Sequence, residues 1–268
     1  MSDTDSPKNI SALDPWHRLR RHTSARIGLG RVGDGLPTAR LLEFQMAHAR
    51  ARDSVHMPFD TASVREILEK TGQSGIEVKS AATNRFEYLQ RPDYGRKLAT
   101  EDADKLKAYA GDFDVAFIVA DGLSARAVQE NGPILLRAIF DRLGSNWSVA
   151  PVVIAHQARV AIGDEIAAHL GAAMSVILIG ERPGLSSADS LGAYLTWAPR
   201  IGRSNAERNC ISNIRPAGLP PVSAADKLVY LMAQARKMKI SGVSLKDYSG
   251  QELITATEDR ALPDTETA

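Results

Sequence analysis

Two spacings of apolar residues divide the chain. From residue 15 to about 110 the recurrence is helical. LPTARLLEFQMAHARARDSVH, Leu36 to His56, sets Leu41, Phe44, His48, Ala51 and Val55 on one seam, with Thr38 as its N-cap. A second helix is expected over Thr61 to Thr71. A third runs to about Ala110, after the turn RPDYGR at Arg91 to Arg96. From about 113 short apolar runs alternate with helical stretches. FDVAFIVADG, VAPVVIAH and SVILIGE read as buried strands, AYLTWAP as a fourth and CISNI as a short fifth. The segments LSARAVQENGPILLRAIFDRLG, GDEIAAHLG and SAADKLVYLMAQARKMK read as helices between and after them.

Apolar strands alternating with helices predict an α/β fold, a parallel sheet covered on both faces. Ligands in such folds bind beyond the carboxyl ends of the strands. Three of those ends read Asp121-Gly122-Leu123-Ser124, His156-Gln157 and Gly180-Glu181. Glu181 is thus a carboxylate at the mouth of a buried strand. Its surroundings leave two readings open: a structural cap or ion pair, or an acceptor for an amide-rich ligand over the strand ends. Gly180, Gly184, Ser186 and Ser187 suit close approach of backbone to a flat ligand.

Composition narrows the partners. A formal net charge of +1 gives no whole-protein attraction to nucleic acid or to an anionic membrane. No apolar window is long enough to span a bilayer, and the polar N-terminus lacks the core of a secretory signal. The single cysteine, Cys210, excludes an internal disulfide and fits a reducing compartment. Residues 1–14 and 249–268 are polar and acidic and are expected to be mobile tails.

Gly28, Gly30 and Gly33 spell G-x-G-x-x-G, with Asp53 about twenty residues on. A dinucleotide site needs a buried strand before the first glycine and a helix opening at the last. Neither is present, and the glycines read as a flexible turn. Arg18, Arg20, Arg21, Arg26 and Arg31, with His17 and His22, form the densest basic cluster. It lacks aromatic interleaving and reads as a solvated face or a docking segment for an acidic partner surface. No histidine pairs with a carboxylate or cysteine at metal-ligand spacing, and His48 reads as a core or interface histidine. There is no G-x-S-x-G elbow, P-loop or H-E-x-x-H. Cys210 lacks a partner for nucleophilic work and reads as a buried or ligand-contacting thiol.

Six stretches in order resemble the ethanolamine ammonia-lyase small (light) subunit family: TSARIGLGRVG, LPTARLLEFQMAHARARDSVH, YLQRPDYGR, DGLSARAV, GERPGLSSADSLGAY and RNCISNIR. The resemblance as a whole runs from about 15 to 246. The resemblance implies a Rossmann-like domain over 111–248 that holds adenosylcobalamin, preceded by a helical region over 15–110 that contacts a large (heavy) subunit. That large subunit carries a (β/α)8 barrel and the substrate residues, so no catalytic residue falls on this chain. Family cobalamin contacts map to Val160 after AHQAR, Glu181 in GERPGL and Cys210 in RNCISNI. The corrin rim carries neutral amides that donate to a carboxylate such as Glu181. The sequence contains no D-x-H-x-x-G, the signature of a protein histidine on cobalt. This fits a base-on cofactor, so no histidine is assigned to the metal.

The implied reaction starts from homolysis of the cobalt–carbon bond and converts ethanolamine to acetaldehyde and ammonia, with several copies of both subunits in a symmetric assembly. Some family members carry a longer N-terminal extension linked to bacterial microcompartments. The short acidic segment before Asp14 fits a free cytoplasmic enzyme instead. Two other readings stand beside this one. A stand-alone NAD(P)-binding oxidoreductase follows from the glycine triplet, and a non-catalytic assembly module from the missing catalytic constellation.

Overall fold

The computed structural model describes residues 16–249, and apart from Ser249 both expected tails lie outside them. Six strands form one sheet: β1 Gly75–Lys79, β2 Ala116–Ala120, β3 Val152–His156, β4 Met174–Gly180, β5 Leu191–Trp197 and β6 Arg208–Ile214. Their order across the sheet is β1-β3-β2-β4-β5-β6. Among the described residues eight α-helices accompany them: α1 His17–Arg20, α2 Thr38–His56, α3 Ala62–Lys70, α4 Arg85–Gln90, α5 Thr100–Lys107, α6 Ala125–Phe140, α7 Ile162–Leu170 and α8 Pro221–Met238.

The sheet is covered on both faces, as its continuous apolar runs require. Every residue of β2 and of β4 is buried. One face packs Val119, Val176 and Leu178 under α3, α6 and α8. The other packs Ile118, Val153 and Ile177 against Leu106 of α5 and Ile162, Ile166 and Leu170 of α7. Burying each such aliphatic side chain stabilises the fold by roughly 1.5–3 kcal/mol before chain entropy is counted. Local signals end the helices where the pattern stops. The Ser124 hydroxyl caps α6 by accepting from Ala127 N at 3.1 Å, and Gly171 closes α7 in a left-handed conformation at φ 75°.

The expected parallel sheet is half right. The β1, β3, β2 and β4 ladders are parallel, but β5 and β6 run antiparallel to their neighbours. Linker length decides this. A parallel return needs a crossover of about a dozen residues or more, normally a helix. The segment Glu181–Ser190 is shorter and holds no helix, so β5 turns back along β4.

The stretch read as purely helical also supplies β1, which pairs with β3. Thr38 is the first residue of α2 rather than its cap; the chain enters through Pro37 with no side-chain cap. The seam on α2 is not core. Leu41, Leu42, Phe44 and Met46 are exposed, and Ser54 is the one buried residue of that helix. His48 is likewise exposed, stacked beside Phe44 at 6.3 Å, which rules out the core reading of that histidine.

Candidate functional site at the carboxyl ends of the strands

The three strand ends singled out in the sequence meet in space. Asp121, at the end of β2, is 3% exposed. Its carboxylate accepts from Gln157 N at 2.9 Å and Ala158 N at 3.0 Å, which locks the end of β2 to the end of β3. Burial raises its pKa, against the two backbone N–H groups and the Arg85 guanidinium at 3.4 Å. Leu123 N donates to Gly180 O at 2.9 Å, which ties β2 to β4. Gly122 and Gly180 are required by that crossing: a Cβ on Gly122 would stand 2.2 Å from Gly180 O, and one on Gly180 2.1 Å from Ser124 O. The demand on Gly180 is thus made by the chain itself.

Above these ends lies a cavity of about 380 Å³, whose wall includes Tyr88, Arg159, Val160, Glu181, Arg182 and Tyr194. Val160 and Glu181, far apart in sequence, share it. Cys210 stands behind Tyr194, its cross-strand partner. The two side chains interact, and desolvation is the main cause that pushes the Tyr194 hydroxyl up. Desolvation and the Glu181 charge also raise the Cys210 thiol, against the hydrogen bond with Tyr194. The Cys210 residue as a whole is exposed on β6, so its buried reading is not met.

Glu181 is engaged within the chain. Ser190 Oγ donates to Oε2 at 2.6 Å, Ser212 Oγ to Oε1 at 2.6 Å, and Asn213 N to Oε2 at 3.2 Å. A carboxylate offers about four acceptor positions, so three donors leave room for one more. It therefore clamps the ends of β4 and β6 to the start of β5, with one acceptor position unused among the described residues. Glu181→Ala is expected to remove the three hydrogen bonds that tie these strand ends together and to lower stability by about 1–2 kcal/mol, read as a thermal midpoint about 4 °C lower.

The sequence motifs did not single out Tyr88 or Arg159. Tyr88 is fully buried, donates to Ala158 O at 2.9 Å, and lies between the Arg85 and Arg159 guanidiniums at 4.7 and 4.5 Å. The QAR following β3 and the YLQRPDYGR stretch were the available signals. Gly184 and Ser187, for which a flat ligand was expected, close a tight turn on each other. Gly28, Gly30 and Gly33 all take positive φ, in loop between α1 and α2. Among the described residues no strand precedes them, so the dinucleotide context is missing there too.

A family model described as "Ethanolamine ammonia-lyase light chain" matches residues 13–246. The chain belongs to the ethanolamine ammonia-lyase light chain family. Among curated proteins it is 53% identical over 247 residues to the ethanolamine ammonia-lyase small subunit of Azotobacter vinelandii, covering 90% of this chain and 92% of that one. The small subunit of Pseudomonas aeruginosa is 52% identical over 252 residues, 92% of each chain. That of Xanthomonas campestris pv. campestris is 51% identical over 257 residues, 93% of this chain and 94% of that one. The light chain described here is thus a subunit of a carbon–nitrogen lyase.

Proposed function

We propose that this light chain forms one wall of an adenosylcobalamin site, at its contact with a large catalytic subunit. The α/β unit is then a Rossmann-like cobalamin-binding domain over 111–248. Val160, Glu181 and Cys210 hold the cofactor, base-on, and the helical region over 15–110, with its basic cluster, docks the large subunit. The assembly holds several copies of each chain in the cytoplasm. One observation carries this reading: the cavity at the strand ends joins Val160 to Glu181 and reaches Cys210 through Tyr194.

The residues fit such a group. A spare carboxylate acceptor suits amide N–H groups, Arg182 and the Tyr194 hydroxyl suit amide carbonyls, and Val160 and Ile179 offer apolar contact to a flat ring. The exposed α2 apolar residues, Leu41, Leu42, Phe44 and Met46, supply the kind of surface that a permanent subunit contact covers. Bound adenosylcobalamin supplies the radical chemistry that turns ethanolamine into acetaldehyde and ammonia. This chain's own part is to hold and orient. Glu181 accepts, Val160 packs, and the Asp121 and Tyr88 clamps keep the strand ends rigid beneath them.

Mixing this chain with its cognate large subunit and adenosylcobalamin tests the reading. Acetaldehyde should form in an ethanolamine-dependent way, with neither protein sufficient alone. Full turnover by the large subunit without this chain would refute it. Saturable NADH fluorescence with no cobalamin binding would favour an oxidoreductase instead. On the assembled complex, Glu181→Gln, which keeps one acceptor oxygen, should bind cobalamin more tightly than Glu181→Ala.

A further inference from the structure

Little holds α2 to the rest of the chain. Ser54 is its one buried residue, and Leu41, Leu42, Phe44 and Met46 are exposed. Among the described residues, one hydrogen bond ties the helix to anything beyond its own flanking turns. Arg85 Nε–H donates to Val55 O, in the last turn of α2, at 2.7 Å. The same guanidinium reaches the other way, to the end of β2. Its Nη1–H donates to Gly122 O at 2.8 Å and stands 3.4 Å from Asp121 Oδ2. The Arg85 side chain is 17% exposed, so the bridge runs through the interior.

Arg85 is itself fixed at both ends of its side chain. It opens α4, whose cap Asn84 accepts from Glu87 N at 3.0 Å, while Glu87 Oε2 accepts from Thr83 N at 2.7 Å. Its guanidinium rests over the Tyr88 ring at 4.7 Å, and Tyr88 is pinned by donating to Ala158 O at 2.9 Å. A planar fork engaged on two carbonyls fixes the separation between them. Arg85 therefore decides where α2 stands relative to the strand ends. Asp121 alone would be served by any cation; the pair of carbonyls calls for the fork.

We propose that Arg85 is a positioning residue that sets the register between the docking helix and the cofactor wall. When the large subunit seats on the helical region, the Arg85 bridge brings this chain's half of the cofactor site into line with the partner's half. This rests on the docking and cobalamin readings above. Arg85 acts only through Val55, Gly122 and Asp121. The test measures three quantities: affinity for the large subunit without cofactor, equilibrium binding of cyanocobalamin to the assembled complex, and the thermal midpoint of that complex. The variants are Arg85→Lys and Arg85→Met. Lysine keeps a cation beside Asp121, but as a point charge it does not hold both carbonyls in one plane.

Arg85→Lys should weaken cyanocobalamin by about tenfold, because a half-site out of line loses its contacts steeply, while affinity for the large subunit stays within about twofold. Its midpoint should stay close to that of the wild type. Arg85→Met should lose cyanocobalamin to the same extent and should also lower the midpoint, since Asp121 is left buried without its cation. Cyanocobalamin binding restored by lysine would make Arg85 a mere counter-charge and overturn the proposal. A loss of large-subunit affinity as great as the loss of cofactor would place the effect in the docking surface and overturn it equally. The wild-type proteins check the underlying readings before any variant is made. A pair that does not assemble sinks the docking role, and an assembled pair that binds no cyanocobalamin sinks the cobalamin reading; either takes the proposal with it.

Discussion

Asp164→Ala is expected to destabilise the chain by about 3–5 kcal/mol, because it leaves the Arg208 guanidinium charged and uncompensated inside the protein. Both side chains are 3% exposed. Arg208 is further held by Asn205 Oδ1 at 3.0 Å and Arg203 O at 2.9 Å, so it cannot swing to water without dismantling the segment before β6. Asp164 stands in the first turn of α7 and Arg208 opens β6, so the pair joins the helix of one sheet face to the antiparallel edge. Denaturant unfolding gives the measurement, and the thermal midpoint should fall by roughly 10 °C. A loss under 1 kcal/mol would show that water reaches the pair. Asp164→Leu/Arg208→Met, which removes both charges, should recover most of the loss.

Gly122→Ala is expected to cost about 3 kcal/mol or more, from two causes that a control separates. The backbone sits at φ 55°, and the new Cβ would stand 2.2 Å from Gly180 O and 2.6 Å from Ile179 Cγ1. Both obstacles belong to β4, which is buried along its whole length and has nowhere to move. The ends of β2 and β4 must part, which breaks the Leu123–Gly180 hydrogen bond beneath the candidate site. Gly72→Ala is the control. Its φ is 67° and a Cβ there meets nothing within 4 Å, so it carries the backbone strain alone, about 1 kcal/mol. Similar midpoints for the two variants would mean that the crossing yields. A gap of several degrees is the expected result.

The central strands were legible because burial on both faces leaves nothing but apolar residues to read. FDVAFIVADG, VVIAH and SVILIGE announce themselves, and the polar or glycine pair after each marks its end. GIEVK of β1 was not legible. It is an edge strand of five residues whose Glu77 and Lys79 break the apolar run, and it is embedded among helices. Strand direction was also hidden, since apolar character does not state which way β5 runs. The brevity of Glu181–Ser190 does state it. The α2 seam misled because spacing reports a repeat of apolar residues without saying whether this chain or another covers them.

The site was legible in part. Asp121, Gly122 and Glu181 followed from strand ends, and Val160 and Cys210 only from family resemblance. Nothing local to GERPGL shows that Ser212 and Asn213 close on Glu181. That contact exists only because β5 doubles back and carries β6 to the same end of the sheet. Tyr88 lay hidden because its partners, Arg85 and Arg159, come from different segments.

The β1–β3 pairing also sets a timetable. Gly75–Lys79 leaves the ribosome long before Val152–His156, its sole neighbour in the sheet. At roughly 5–20 residues per second, that interval is of the order of several seconds. During it the nascent strand offers unpaired backbone to any other polypeptide nearby. Charges at Glu77 and Lys79, which blur the strand to a reader of the sequence, are what keep it from sticking while it waits.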